Sequence, residues 1–224
     1  MSLKIYDTLE QGSDEWLEAR RGIVTASTVG QLITPSTVRP ANNDKSRALR
    51  DTLIAERITG WVEPVYVSAD MLRGQEDEPV ARDLYREHYA PVEEVGFMRM
   101  DEPGFTLGYS PDGLVGSDGL IEIKSRKPKV QLQTILNDTV PPFNRAQLQA
   151  GLLVSGREWV DYCSYSSGMP FYVTRVYRDE RWIDTIRTVV TEFETYAAET
   201  VARYEEVTAG MPTTTRIKEL EIVI

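Results

Sequence analysis

Between Ser110 and Lys124 the chain reads as a tight reversal. Residues 113–115 and 120–125 are short strand-like runs, and Gly116-Ser117-Asp118-Gly119 between them has the residue types that turn a backbone. Asp112 and Glu122 stand ten positions apart and cannot meet along one strand, but a hairpin or bend lays them side by side. Glu122 and Lys124 are two apart and share a face, whereas Ile121 and Ile123 take the opposite face, towards a core. Charge on one face and isoleucine on the other is the pattern of a site on a sheet rim. The same spacing is also satisfied by a surface ion pair of Glu122 with Lys124 beside a turn aspartate.

Around this hairpin the chain is an α/β mixture. Ser13 caps a short helix to Arg21, with Asp14 and Glu15 in its first turn and Gly22 past its end. Thr25 opens a second helix carrying Val29, Leu32 and Ile33, and residues 34–43 read as a loop. Asp44 caps a helix to about Thr59, and another spans about 68–89, with a possible break at Pro79. Strands are expected over 92–101, 105–110, 113–115, 120–125, 159–166 and 171–177, with helices over 144–154 and 180–207. There is no repeat and no linker. The expectation is one domain over residues 1–224, a central mixed sheet flanked by helices.

The rare residues restrict the chemistry. One cysteine, Cys163, allows neither an internal disulfide nor a thiolate zinc site. One histidine, His88, within Tyr85-Arg86-Glu87-His88-Tyr89, excludes zinc held by several imidazoles, and no Gly-x-Ser-x-Gly elbow offers a serine nucleophile. His88 reads as a surface or half-buried helix residue. Metal chemistry would then use oxygen ligands, which favours Mg²⁺ or Mn²⁺. No apolar run suffices for a membrane span and the first residues lack an apolar leader core, so a cytoplasmic protein is expected. The net charge of −10 argues against a general nucleic-acid binder. The charge is uneven: residues 61–119 carry −9 and residues 120–178 carry +4, with Lys124, Arg126, Lys127 and Lys129 directly after Glu122. That basic stretch is either a local phosphate-binding surface or a solvated loop.

Two carboxylates can hold a hard cation against a phosphodiester, and Lys124 can orient water or stabilise developing charge. The acidic run Glu76-Asp77-Glu78 on the 68–89 helix could add a third carboxylate, although successive helix positions lie about 100° apart and not all can point inward. As a set, Asp112 followed by Glu122-Ile123-Lys124 resembles the metal motif of the PD-(D/E)xK nucleases. Four segments resemble, in order, the lambda exonuclease and YqaJ-like viral recombinase branch: Gly12 to Ser27, Gly74 to Arg82, Ser110 to Lys124, and Ala146-Gln147-Leu148-Gln149. The resemblance implies a restriction-endonuclease-like core. It implies Asp112, Glu122, the Ile123 carbonyl and Glu78 as metal ligands or near neighbours, with Lys124 positioning the attacking water. It implies Arg20, Ser27 and Gln147 as a pocket for a 5′-phosphate, a set of donors suited to phosphate oxygens. Gln147 and Gln149 point apart on a helix, and the motif selects Gln147. Asn144 stands where the family usually has tyrosine.

The function so implied is a Mg²⁺-dependent 5′→3′ exonuclease acting on double-stranded DNA ends to leave 3′ single strands for recombination. Its implied setting is a ring-shaped homotrimer working with a single-strand annealing protein, encoded by a phage or prophage. The alternatives are another nuclease of the superfamily, RecB-like or an endonuclease, and a non-catalytic DNA-end-binding recombination adaptor.

Overall fold

The computed structural model describes residues 2–64 and 66–216. In chain order it has β1 (Ser2–Tyr6), α1 (Asp14–Arg20), β2 (Val24–Thr25), α2 (Ala26–Val29), a 3-10 turn (Gly30–Leu32), β3 (Ile33–Thr34) and β4 (Arg39–Pro40). Next come α3 (Asp44–Thr59), α4 (Ala69–His88), β5 (Phe97–Glu102), β6 (Phe105–Tyr109), β7 (Gly113–Val115) and β8 (Gly119–Ser125). The chain continues through α5 (Pro128–Asn137), α6 (Pro142–Ser155), β9 (Trp159–Tyr165), β10 (Tyr172–Tyr177) and α7 (Glu180–Thr208).

The expected mixed sheet is present as two four-stranded sheets, β1-β5-β6-β2 and β10-β9-β8-β7. Each holds one parallel pair, β2 with β6 and β8 with β9. In the second sheet α5 and α6 make the crossover between the parallel strands, which a tight turn cannot do. Side chains of β8 alternate strictly: Leu120 joins the main core, and Ile121 and Ile123 join a second cluster with Ala81, Tyr85, Trp159 and Cys163 beneath α4. Full burial of each isoleucine contributes roughly 1.5–3 kcal/mol. The parallel pair is thus covered on both faces. Gly119 starts β8 beneath the Trp159 ring, where an added Cβ would lie 2.2 Å from ring carbons. The main core collects the apolar stripe of α7, from Trp182 and Ile183 to Phe193 and Ala197, together with α3, α6 and both sheets.

Several local expectations are corrected. The helix expected from Thr25 to Ile33 stops at Val29; the chain tightens through Gly30–Leu32 and Ile33 enters β3. The 34–43 loop contains the small β3–β4 hairpin. Asn43 rather than Asp44 caps α3, because Ser46 returns a bond to the Asn43 backbone N–H while Asn43 accepts from Ser46 N. The strand expected from 92 begins at Phe97; Gly96 is pressed against the carbonyls of Tyr6 and Leu9, where the chain passes too close for a side chain. Helix α4 runs through Pro79 unbroken. Besides the two-residue strand β2, two longer elements were not expected. Strand β1 is an edge strand with Leu3 and Ile5 exposed, so it lacks a buried alternating face. Helix α5 is anchored by a polar residue, Gln131, bonded to the Ser164 and Pro170 carbonyls, while Val130, Leu132 and Leu136 face outward. His88 is the exposed last residue of α4. No helix among the described residues is long and apolar enough to cross a membrane.

Candidate active site

The β7–β8 hairpin pairs Gly113 with Ile121, so Asp112 enters directly alongside Glu122 and Ile123. Asp112 Oδ2 accepts from the Ile123 backbone N–H at 2.6 Å. Strand β7 pairs no further along β8 than Ile121, which leaves that edge of β8 open at Ile123. The N–H and C=O of one strand residue project to the same side, so the Ile123 carbonyl faces the same open edge as Asp112. Glu122 is only 1% exposed. It takes Lys124 Nζ at 2.6 Å and the Tyr109 hydroxyl at 3.3 Å, and Gln147 Nε2 donates to the same oxygen as Lys124. A surface ion pair is therefore excluded: Glu122 is buried between sheet and α6, and Lys124 is half-buried at the cleft.

The charges do not balance. Burial, reinforced by the Glu122 charge, pushes the Asp112 carboxyl well above its ordinary value. Burial also raises Glu78, with Arg82 opposing and Glu122 adding to the rise. For Lys124, burial alone would lower the pKa, but Glu122 and Asp112 outweigh it and hold the ammonium above its usual value. Lys124 is therefore a cation at neutral pH and serves as a donor and positive charge, not a proton acceptor. Burial and Glu122 keep the Tyr109 phenol protonated, a fixed donor to the carboxylate. A cluster of carboxylates facing one ammonium, with Glu122 buried and Asp112 and Glu78 half-buried, suits an added hard cation. As the side chains stand, no three acidic or other metal-binding groups among the described residues close on one point. Glu78 is turned to Arg82, with which it forms an ion pair.

Arg82 links α4 to the hairpin. Its Nε donates to the Asp112 carbonyl at 2.8 Å and its Nη1 to Glu94 at 2.8 Å. The acidic run divides as helical geometry requires: Glu78 lines the cleft, Asp77 accepts from the Ser125 hydroxyl at 2.6 Å, and Glu76 is exposed.

On the other wall, α1 delivers Arg20 and the start of α2 delivers Ser27. Gly22, at φ +66°, makes the turn between them, and Arg20 Nη2 reaches Ser27 Oγ at 3.4 Å. The Arg20 guanidinium lies 3.8 Å from the centre of the Trp16 ring, one helical turn earlier. Trp16 in turn donates to Ser110 Oγ at 3.1 Å. Burial lowers the Arg20 pKa, with Glu56 partly offsetting it, yet the group stays cationic at neutral pH. A half-buried guanidinium whose hydrogen-bond partner among the described residues is one hydroxyl has donors to spare for an anion.

All eight residues singled out in the sequence line one cleft of about 370 Å³: Arg20, Ser27, Glu78, Asp112, Glu122, Ile123, Lys124 and Gln147. Gln149 points away, bonded to the Tyr177 carbonyl and the Asp179 N–H. Sequence reasoning missed Tyr109, Trp16 and Arg82 as parts of the site. Trp16 to Arg20 and Glu78 to Arg82 are i,i+4 pairs that could have found two of them. Asn144, in the position of the expected tyrosine, is buried and accepts from Arg126 Nη2 at 2.6 Å.

Comparison with known proteins gives a consistent picture. The model of the YqaJ-like viral recombinase domain matches residues 15–158. An alkaline exonuclease from Laribacter hongkongensis has a structure similar to this one, with TM-score 0.78 and 34% identity over 89% of this chain and 100% of that one. The same enzyme solved in complex with dAMP matches equally well, with TM-score 0.78, 34% identity and the same coverage. A phage-related exonuclease from Haemophilus somnus shares the fold, with TM-score 0.62 and 12% identity over 81% of this chain and 96% of that one. No curated protein matches the sequence.

Proposed function

The chain belongs to the YqaJ-like viral recombinase domain family, and from that premise we propose that it is a divalent-metal-dependent exonuclease acting on double-stranded DNA. It digests one strand 5′→3′ from a 5′-phosphorylated end and leaves a 3′ single strand for recombination. One observation carries this reading: Gln147, of the phosphate-pocket set, donates to the metal-motif carboxylate Glu122 within a single cleft. End recognition and cleavage are thereby adjacent.

Asp112, Glu122 and the Ile123 carbonyl are the groups that would hold Mg²⁺ or Mn²⁺, with Glu78 available once it releases Arg82. The uncompensated carboxylate charge fits such an ion, which when bound supplies positive charge against the phosphate oxygens. The protein's own groups do the rest. Lys124 orients the attacking water and stabilises charge developing on the phosphate. Tyr109 and Gln147 hold Glu122 in one orientation by donating to both of its oxygens. Arg20 and Ser27, with Gln147, take the terminal 5′-phosphate, and Trp16 keeps the Arg20 plane facing it. This places the next phosphodiester at the carboxylates. The relative solved with dAMP accommodates a mononucleotide, the size of product this reaction releases. The working form is a cytoplasmic homotrimeric ring around DNA, with a single-strand annealing protein as partner.

The test is digestion of linear duplex DNA with Mg²⁺. The expected result is release of 5′-mononucleotides, faster from a 5′-phosphate than from a 5′-hydroxyl end, with closed circles left intact. Cutting of closed circles, or equal rates at both kinds of end, overturns the exonuclease reading; undiminished activity in chelator overturns the metal. A monomer in solution with and without DNA overturns the ring.

A further inference from the structure

Beyond the groups that hold the two phosphates, one more charged residue stands directly after the end of β8, in line with its working face. Arg126 follows Lys124 by two positions, and its backbone N–H continues the ladder to the Tyr165 carbonyl at 2.7 Å, so it extends the row of Glu122 and Lys124. Its guanidinium is held from one side only. Nη2 donates to Asn144 Oδ1 at 2.6 Å and to the Tyr162 hydroxyl at 3.1 Å, while its buried Nε finds no acceptor among the described residues. Over this guanidinium, 5.4 Å from it, lies the ring of Phe143.

Phe143 is 60% exposed and stands outside the set of residues that line the cleft. It packs into neither core cluster. It sits in the first turn of α6, four residues before Gln147, and residues so spaced share a helix face about 5–6 Å apart. The residue that touches Glu122 and the exposed ring are therefore neighbours along the same rim. A flat apolar face backed by a guanidinium with unfilled donors is the chemistry that takes an unpaired nucleobase on its face and a backbone phosphate at its edge. An aliphatic occupant would not use the guanidinium, and a free phosphate would not use the ring.

We propose that Phe143 and Arg126 form a stacking subsite for a nucleobase of the strand being digested, next to the scissile phosphate. The subsite rests on the nuclease reading and deepens it. Stacking draws the base out of the duplex and sets the sugar–phosphate link against Lys124. It discriminates weakly between bases, because every base offers a π-face. Asn144 and Tyr162 fix the guanidinium, so they position the subsite without touching DNA.

The experiment uses the full chain and a 5′-phosphorylated duplex carrying 2-aminopurine at the first, second or third nucleotide of the digested strand. Binding is measured in chelator, so that no cleavage occurs, and digestion of unlabelled duplex is measured separately in Mg²⁺. The wild type is expected to change the 2-aminopurine emission at one of the three positions. Phe143→Ala is expected to abolish that change and raise KM about tenfold or more, with a smaller effect on kcat, whereas Phe143→Trp retains both. The exposed position lets both variants fold. A Phe143→Ala protein with wild-type emission change and KM overturns the subsite and leaves the nuclease reading intact. A wild type that neither binds nor digests the duplex overturns both.

Discussion

Two buried carboxylates on neighbouring strands have opposite fates. Asp161 on β9 faces α4; Glu122 on β8 faces α6. Asp161 is 3% exposed and Glu122 1%, so burial does not distinguish them. Asp161 is matched by a two-pronged Arg175, at 2.8 and 2.9 Å, and by the Tyr85 hydroxyl at 2.6 Å, while Arg175 stacks on Trp159. One negative charge meets one positive charge and the set is closed. Glu122 has a cation too, Lys124, but shares it with Asp112 and lies within electrostatic reach of Glu78. A sealed carboxylate becomes a site when its neighbours are also carboxylates, because the surplus charge is then available to something from outside.

The sharpest way to test that contrast is to delete one cation on each face. Lys124→Ala is expected to lower kcat by about 10²–10³-fold while the protein still folds, measured by single-turnover digestion alongside circular dichroism. Full activity would show that this ammonium does not serve the reaction. Arg175→Ala strands the Asp161 charge and is expected to cost about 3 kcal/mol in chemical denaturation, with activity per folded molecule near wild type. Asp161→Ala should cost less, because Arg175 is 42% exposed and can turn to water. The reverse order would mean that the network does not act through its buried charge.

Acidity probes the cleft face next. A folded Asp112 holds its proton to higher pH than the unfolded chain does. Between the ordinary carboxylate pKa and this raised one the native state binds more protons, so in chelator stability falls as pH rises across that window. A divalent ion at a hundred times its Kd should restore about 2.7 kcal/mol, most visibly at the upper end, where the carboxylates are ionised. Melting temperatures with and without Mg²⁺ at several pH values would show this; a pH-independent metal effect would contradict it. The smallest effect concerns the pocket proposed for the 5′-phosphate. Arg20→Ala should reduce the preference for 5′-phosphate over 5′-hydroxyl ends about tenfold, the loss expected for a charge-assisted hydrogen bond. Competition between the two ends measures it directly.

The site was more legible than the scaffold. Asp112, Glu122 and Lys124 are joined by a short hairpin whose turn residues and alternation are local, so their convergence could be read from spacing. Gly22 likewise announced that Arg20 and Ser27 could face each other, as they do at 3.4 Å. What escaped depends on distant partners. Strand β1 exists because β5 accepts it along one edge, and nothing in Ser2–Tyr6 itself requires that. Helix α5 hides from an apolar pattern because Gln131 anchors it through hydrogen bonds. Tyr109 is an ordinary strand residue until α6 and the hairpin close over it. The division of the sheet into two was equally invisible, since pairing is a property of two segments and not one.

The turn at Gly22 carries a last implication. Glu56 accepts its N–H at 2.7 Å, Arg57 Nε donates to its carbonyl at 2.6 Å, and Arg57 is braced by two bonds to Glu194 on α7. The wall that carries Arg20 and Ser27 therefore leans on a residue 137 positions further along the chain than Arg57. Removing the Glu194 carboxylate alone would leave the acidic groups of the cleft in place and slacken that wall, so one half of the cleft can be loosened from a distance without touching the other.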